Sequence, residues 1–225
     1  MRATRWRYSF RMKSFVLSFF SLTVLASQFG SYEDCESEGG MRKVILGVSM
    51  SLDGRIARAN GGVDFLRTPK EHPVGAFFAC MDTAIMGRKT LDAGLRMTGG
   101  KLPKTAMKMY VMSNTKEPGE REGAVFVNES PAALVARIRK QDGTDIWLMG
   151  GGELAREFLR DDLVDEMYLG IAPVLLGEGI PLFPNGFPQR EFALTENKSY
   201  SQGLVALKYE RKRESAKPTK TKRTK

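Results

Sequence analysis

Asp145-Ile-Trp-Leu-Met-Gly-Gly-Gly-Glu-Leu154 is the stretch on which the fold turns. Ile146 to Met149 is a short apolar run of the kind a buried strand presents. Gly150-Gly151-Gly152 turns the chain. Glu153 to Leu163 then reads as a helix with Leu154, Phe158 and Leu159 on one apolar face. A strand, a glycine turn and a helix in that order let the backbone come close to a phosphate. Glycine removes side-chain bulk, and the unpaired N–H groups of the first helical turn face the anion along the helix dipole. Gly150, Gly151 and Gly152, with Glu153 and Leu154 at the helix start, are therefore candidate contacts for the pyrophosphate of a dinucleotide. A tight turn with no ligand has the same sequence, and the triplet is not a G-x-G-x-x-G fingerprint.

A second strand-to-helix junction and a third strand end lie upstream. Thr83 to Met86 reads as a strand that ends in Gly87-Arg88-Lys89-Thr90, where a helix should start. Arg88 and Lys89 suit the extra phosphate that separates NADPH from NADH, and Thr90 adds a hydroxyl. Lys108 to Met112 is a strand that ends in Ser113, a further hydroxyl and amide. Ligands of α/β sheets gather outside the carboxyl ends of the strands. Three phosphate-friendly turns at three such ends argue for one site more strongly than any one of them. The first strand, Val44 to Ser49, leads into Ser51-Leu-Asp-Gly54, which places Asp53 as the carboxylate candidate for the reactive region. Its alternative role is to cap its own turn. Glu71 and His72, near the start of a helix expected from Pro69 to Met81, are weaker candidates.

The remaining elements complete an alternating pattern. Ala124 to Val127 is a strand. Ser130-Pro131 is a helix start, a capping residue followed by proline at the first helical position, and that helix ends near Gly143. Met167, Leu169 and Ile171 alternate as in a strand. Phe192 to Tyr200 and Leu204 to Glu210 flank Ser201-Gln-Gly203 as a hairpin. The fold class expected is α/β, with a mixed, mostly parallel central sheet flanked by helices and an antiparallel C-terminal hairpin.

Composition narrows the function classes. The chain has 225 residues, 42% of them hydrophobic, and a net charge of +9. Residues 211–225 hold eight Lys or Arg against one Glu, and residues 1–40 five against four acidic residues, so residues 41–210 are close to neutral. The basic character belongs to the tail, which reads as disordered and solvated and not as a specific nucleic-acid contact. Cys35 and Cys80 give no metal spacing and no disulfide framework, which fits a reducing compartment. His72 is the one histidine, so a Ser-His-Asp hydrolase or a histidine-rich metal site has almost nothing to stand on.

Residues 1–40 form an N-terminal extension with two readings. Five basic residues from Arg2 to Lys13 followed by apolar Phe15 to Ala26 resemble a secretory signal. Alternatively Met41, just ahead of the first strand, is the true start. The apolar stretch is too short for a stable membrane span. The nicotinamide cofactor pool favours the cytoplasm, with export or membrane association as the alternative if the signal is genuine.

Taken in order, the motifs resemble the dihydrofolate reductase superfamily, and within it the reductase domain of bacterial riboflavin-biosynthesis deaminase/reductases and its stand-alone relatives. The matching text is Ser51-Leu-Asp-Gly-Arg-Ile-Ala57, Asp82-Thr-Ala-Ile-Met-Gly-Arg-Lys-Thr90, Tyr110-Val-Met-Ser113, Leu148-Met-Gly-Gly-Gly-Glu-Leu154, Leu163-Val-Asp-Glu-Met-Tyr-Leu169 and Ala172-Pro-Val-Leu-Leu-Gly-Glu-Gly-Ile-Pro-Leu-Phe183. The resemblance covers nearly all of residues 41–210. It implies NADPH as cofactor and hydride transfer to a small heterocyclic or carbonyl-type substrate. It places the adenosine side near Gly87, Arg88, Thr90 and Ser113, the pyrophosphate near Gly150 to Gly152, and Asp53 near nicotinamide and substrate. It also implies a homodimer.

The chain departs from the pattern at two points. The riboflavin-pathway reductases carry a lysine where this chain has Gly47, and a glutamate before the paired glycines where it has Met149. Nor does the first helix offer a buried acidic residue to grip a pteridine, unless Glu71 serves. The cofactor half is kept and the substrate half is changed. The leading expectation is an NADPH-dependent reductase of this superfamily. The alternatives are a 5-amino-6-(5-phosphoribosylamino)uracil reductase, a non-catalytic nucleotide-binding module, and a nucleic-acid binder driven by the tail.

Overall fold

β1 (Val44–Ser51) forms the centre of the molecule, pairing in parallel with β7 (Asp145–Gly150) on one side and β8 (Glu166–Ala172) on the other. The computed structural model describes residues 40–69, 74–102, 105–121 and 123–213. Beyond β7 the sheet continues in parallel through β3 (Met81–Gly87), β4 (Lys108–Met112) and β6 (Ala124–Val127). β5 (Gly119–Arg121) closes that edge antiparallel. On the other side β11 (Val205–Arg211) runs antiparallel to β8 and pairs with β10 (Phe192–Ser199). The order is β10-β11-β8-β1-β7-β3-β4-β6-β5, and β2 (Arg55–Ala57) pairs separately with β9 (Ile180–Pro181). This is the mixed, mostly parallel sheet with an antiparallel C-terminal hairpin expected from the sequence.

Side-chain alternation along β1 explains why both faces are covered. Val44 and Leu46 point into a core shared with α3 (Pro131–Arg139) and α4 (Gly152–Arg160). Ile45 belongs to the opposite core, which includes residues of α1 (Val74–Ala79) and α2 (Arg88–Thr98). α4 buries Leu154, Ala155, Phe158 and Leu159 on one stripe. Phe158 has no exposed surface, a burial that stabilises the fold by about 2 kcal/mol. Ser130 caps α3 by accepting from the Ala133 amide at 3.2 Å, worth about 1 kcal/mol.

Several boundaries differ from the expectation. The first helix ends at Ala79 and Met81 already opens β3, because Met81 is buried with Ala84 and Met86 in the sheet core; residues 70–73 lie outside the described residues. α3 stops at Arg139 and not near Gly143, since Asp82 accepts from the Thr144 amide at 2.9 Å and draws the chain to the start of β7. α4 ends at Arg160, where Asp162 turns with φ 53 and the Leu163 amide folds back to the Phe158 carbonyl at 2.9 Å. The short strands β2, β5 and β9 have too few residues to show a period. Cys80 is disulfide-bonded, which the sequence reading of the two cysteines did not anticipate.

The amino ends of the strands are held by buried charge. Arg42 pairs with Asp82, donates to Thr83 Oγ1 at 2.6 Å and reaches the Thr144 carbonyl at 2.6 Å. Asp165 accepts from Arg139 at 2.5 Å, Arg213 at 2.7 Å and the Val44 amide at 2.7 Å. Glu166 takes Lys43 at 2.7 Å and Lys208 at 3.2 Å. Arg211 and Arg213, expected in the solvated tail, instead bind Asp162 and Asp165, so the described domain continues past Glu210 through Arg213. Residues 1–39 and 214–225 lie outside the described residues.

Candidate active site

The carboxyl ends of the parallel strands carry the other polar cluster. β3 delivers Gly87 to the start of α2, and β7 delivers Gly150 and Gly151 to the start of α4. Thr90 Oγ1 donates to the Gly150 carbonyl at 3.2 Å, tying the two junctions together. Arg88 Nη1 donates to Thr115 Oγ1 at 3.0 Å, which ties α2 to the turn after β4. The three turns singled out in the sequence therefore stand side by side.

Each glycine of the triplet has its own reason. Gly150 has φ 88, in the left-handed region, and a Cβ there would meet nothing within 4 Å. Gly151 is extended, and a Cβ on it would stand 3.6 Å from both Ile56 Cδ1 and Thr90 Oγ1. Gly152 is different: a Cβ would lie 2.2 Å from the Pro181 carbonyl oxygen. Gly152 is thus demanded by the close approach of β9, whereas a side chain at Gly150 would meet nothing and one at Gly151 only ordinary contacts. Gly151 makes no side-chain cap. The first-turn amides of Gly152, Glu153 and Leu154 have no helical partner and remain available to an anion. The side chains of the last two point elsewhere. Glu153 pairs with Arg156 at 2.8 Å, and Leu154 is in the core.

Arg88 is shared between Thr115 and Asp92, the latter at 3.5 Å. Lys89 is exposed. Ser113 is buried, and its hydroxyl accepts from the Thr115 and Lys116 amides at 3.3 and 3.2 Å. It shapes the turn that presents Thr115. These groups fit the phosphates of a dinucleotide: half-buried Gly151 between a strand end and a helix start, helix-start amides with no partner within the helix, and a cation from α2.

Asp53 lies just beyond β1. Its carboxylate accepts from Ser51 Oγ at 2.6 Å, from the Leu176 amide at 3.1 Å and from the Gly177 amide at 2.9 Å. The Ser51 hydroxyl and those two amides lower its pKa to about 2. At neutral pH it is an anion that accepts hydrogen bonds and does not give up a proton. It pins the 173–179 loop against the β1–β2 turn. Arg55, which the sequence reading passed over, lies 3.7 Å from Asp53, and its Nε is buried without a hydrogen-bond partner. Glu71 and His72 lie outside the described residues.

On the α1–α2 face of the sheet an aromatic cluster surrounds Gly47. Trp147 Nε1 donates to the Gly47 carbonyl at 2.9 Å. Phe77 stacks on Tyr168 with centroids 5.0 Å apart. A Cβ on Gly47 would lie 2.3 Å from Phe77 Cζ and 2.9 Å from Trp147 Nε1. Burial pushes the Tyr168 phenol up, so it stays protonated. Among the described residues no group of His, Cys, Asp and Glu could hold a metal ion, and no helix is long and apolar enough to cross a membrane.

Residues 42–206 match the family described as the RibD C-terminal domain. Two proteins of Bacillus subtilis (strain 168) are similar in sequence. "Uncharacterized protein YwjB" is 32% identical over 173 residues, which span 76% of this chain and 98% of that protein. "Uncharacterized protein YyaP" is 32% identical over 182 residues, 75% of this chain and 94% of that protein. Among solved structures, a "Putative riboflavin biosynthesis protein" from Shewanella sp. PV-4 superposes with a TM-score of 0.67 at 27% identity, covering 76% of this chain and 99% of that one. RibD of Acinetobacter baumannii shares the fold, with a TM-score of 0.59 at 22% identity over 77% of this chain and 59% of that one.

Proposed function

The chain belongs to the RibD C-terminal domain family, and on that premise we propose that it is an NADPH-dependent reductase of a small heterocyclic or carbonyl-type substrate. The observation that carries the reading is the union of three phosphate-friendly turns by Thr90–Gly150 and Arg88–Thr115 at one end of a parallel sheet. Gly150, Gly151 and the first amides of α4 hold the pyrophosphate. Arg88 and Lys89 receive the phosphate that marks NADPH, and Ser113 keeps Thr115 in place beside them. When bound, the cofactor supplies a hydride to an electrophilic carbon, and the adjoining oxygen or nitrogen takes a proton from water. The chain orients the two partners.

Asp53 acts in this scheme as a positioning residue. It stays ionised, fixes the 173–179 loop over the end of β1, and sets a negative charge at the reactive end of the site. An anion there favours the positive charge that the nicotinamide ring carries after it has lost its hydride. A cytoplasmic setting supplies the cofactor, and a homodimer completes the proposal, to be read by light scattering.

The test is titration of the protein with NADPH and NADH while following its fluorescence, because Trp147 lies just before the glycine turn. Tight binding of NADPH, followed by its oxidation with a member of a panel of pterins, uracil derivatives and carbonyl compounds, supports the reading. Absence of binding by either nucleotide would sink it. Binding without oxidation by any panel member would leave a nucleotide-binding module in its place.

A further inference from the structure

The nine-stranded sheet is open at both edges. β5 offers three residues at one edge, and β10 offers eight at the other, exposed over residues 194–199. The Tyr200 amide donates to the Leu204 carbonyl at 2.8 Å. From there the register sets Ser199 against Val205, Lys198 against Ala206, Asn197 against Leu207 and Glu196 against Lys208. Bonded and unbonded pairs alternate along an antiparallel ladder. Tyr200, Lys198 and Glu196 therefore spend their backbone groups on β11, and Asn197 and Ser199 turn theirs outward. The register shift between Leu194 and Glu196 sets Thr195 out of step, which limits the regular edge to residues 196–199.

Charged side chains on an edge strand ordinarily keep a second strand away. The two charges of this edge have opposite sign. Glu196 and Lys198 are two places apart on one face of β10, and both are exposed. Among the described residues neither has an ion-pair partner; Lys198 lies over the Tyr200 ring, 5.4 Å from its centroid. Two identical strands related by a two-fold axis pair about a residue. A centre between residues would make neighbouring pairs equivalent, and neighbouring pairs alternate. Pairing about Glu196 or Lys198 sets like charges face to face. Pairing about Asn197 sets Glu196 of each copy opposite Lys198 of the other. It also lets the two Asn197 residues exchange their outward amides and carbonyls. The Glu–Lys pairs then fall at unbonded positions, where opposed Cα atoms come within about 4.5 Å and side chains are closest.

We propose that β10 pairs antiparallel with β10 of a second copy of this chain, about Asn197, and joins two nine-stranded sheets into one. This gives the homodimer of the proposed function its surface and uses none of the cofactor chemistry.

Sedimentation velocity of the full chain over a concentration series at low salt tests it, and a dimer is expected. Glu196→Lys and Lys198→Glu each set like charges opposite one another, and each should weaken the dimer at least about tenfold. Mixing these two variants restores every unlike pair, so a mixed dimer as tight as the parent's is expected. Asn197→Pro removes an amide that bonds nothing inside the fold, and should give a folded monomer by circular dichroism. The charge variants lie at exposed positions and carry the test by themselves if that variant does not fold. A parent chain monomeric at every concentration overturns the inference. So does a dimer as tight in either charge variant or in folded Asn197→Pro, or a mixture that does not recover. NADPH titration of the same preparations reports separately: its failure defeats the reductase reading and leaves the pairing of β10 standing.

Discussion

Thr90 and Gly150 lie 60 residues apart in sequence, and the Thr90 hydroxyl donates to the Gly150 carbonyl at 3.2 Å. That one bond makes the start of α2 and the end of β7 a single surface. It fixes the carbonyl of the glycine turn from behind, which leaves the amides that follow it facing outward.

Thr90→Val removes the donor and keeps the shape. NADPH affinity is expected to fall about fivefold, as for one lost neutral hydrogen bond. The thermal midpoint should fall as well, because Gly150 is buried and its carbonyl loses a partner it cannot replace. Fluorescence titration and a melting curve on the same variant check both parts.

Gly152→Ala tests the opposite kind of glycine. Its Cβ would meet the Pro181 carbonyl oxygen at 2.2 Å, and that atom is backbone that cannot swing aside. A loss of about 1–3 kcal/mol in unfolding free energy is expected, read from urea denaturation. A variant as stable as the parent would mean that β9 does not pack on α4 as described.

Gly47→Ala should also destabilise, by about 1–3 kcal/mol, because Phe77 Cζ stands 2.3 Å from the new methyl position. Phe77→Ala opens that space. The two substitutions together should cost clearly less than the sum of their separate costs, a coupling that a double-mutant cycle measures. Additive costs would remove Phe77 from contact with Gly47.

Asp53 gives a pH signature. Its carboxyl titrates at about 2 in the folded chain against 3.8 for the ordinary group. A lowered folded pKa means stability that is present above the ordinary value and lost as pH falls through the folded one. The stability difference between the parent and Asp53→Asn should therefore be constant above pH of about 4 and shrink between about 4 and 2. Chemical denaturation across that range is the measurement. A difference that does not change with pH would show that the charge of Asp53 contributes nothing.

Much of this was legible in the sequence because it rests on local chemistry. Strands β4 and β6 have the bounds their apolar runs suggest, and Ser130-Pro131 starts α3 where a cap followed by proline must. The three phosphate-friendly turns were readable for the same reason: each is a strand end followed by a small or hydroxylated residue, and two of the three open a helix. What could not be read was set by partners distant in sequence. Nothing local says that Gly152 answers to Pro181, that Gly47 answers to Phe77, or that the Ser113 hydroxyl is spent on its own turn. Arg211 and Arg213 look like tail residues until Asp162 and Asp165 are placed beside them. Asp53 was found as the carboxylate at the end of β1, but its hold on Leu176 and Gly177 depends on a loop that arrives more than a hundred residues later.

The central claim is that the turn between β7 and α4 carries the cofactor's pyrophosphate. Gly151→Asp tests it most directly. Gly151 is extended, and a Cβ there makes only ordinary contacts, 3.6 Å to Ile56 and Thr90, so the variant is expected to fold. Its carboxylate would stand beside the phosphates and repel them. NADPH affinity by fluorescence titration should drop at least about tenfold, roughly 1.4 kcal/mol, with the melting curve close to that of the parent. A folded Gly151→Asp protein that binds NADPH as tightly as the parent would contradict the assignment and take this turn out of the site.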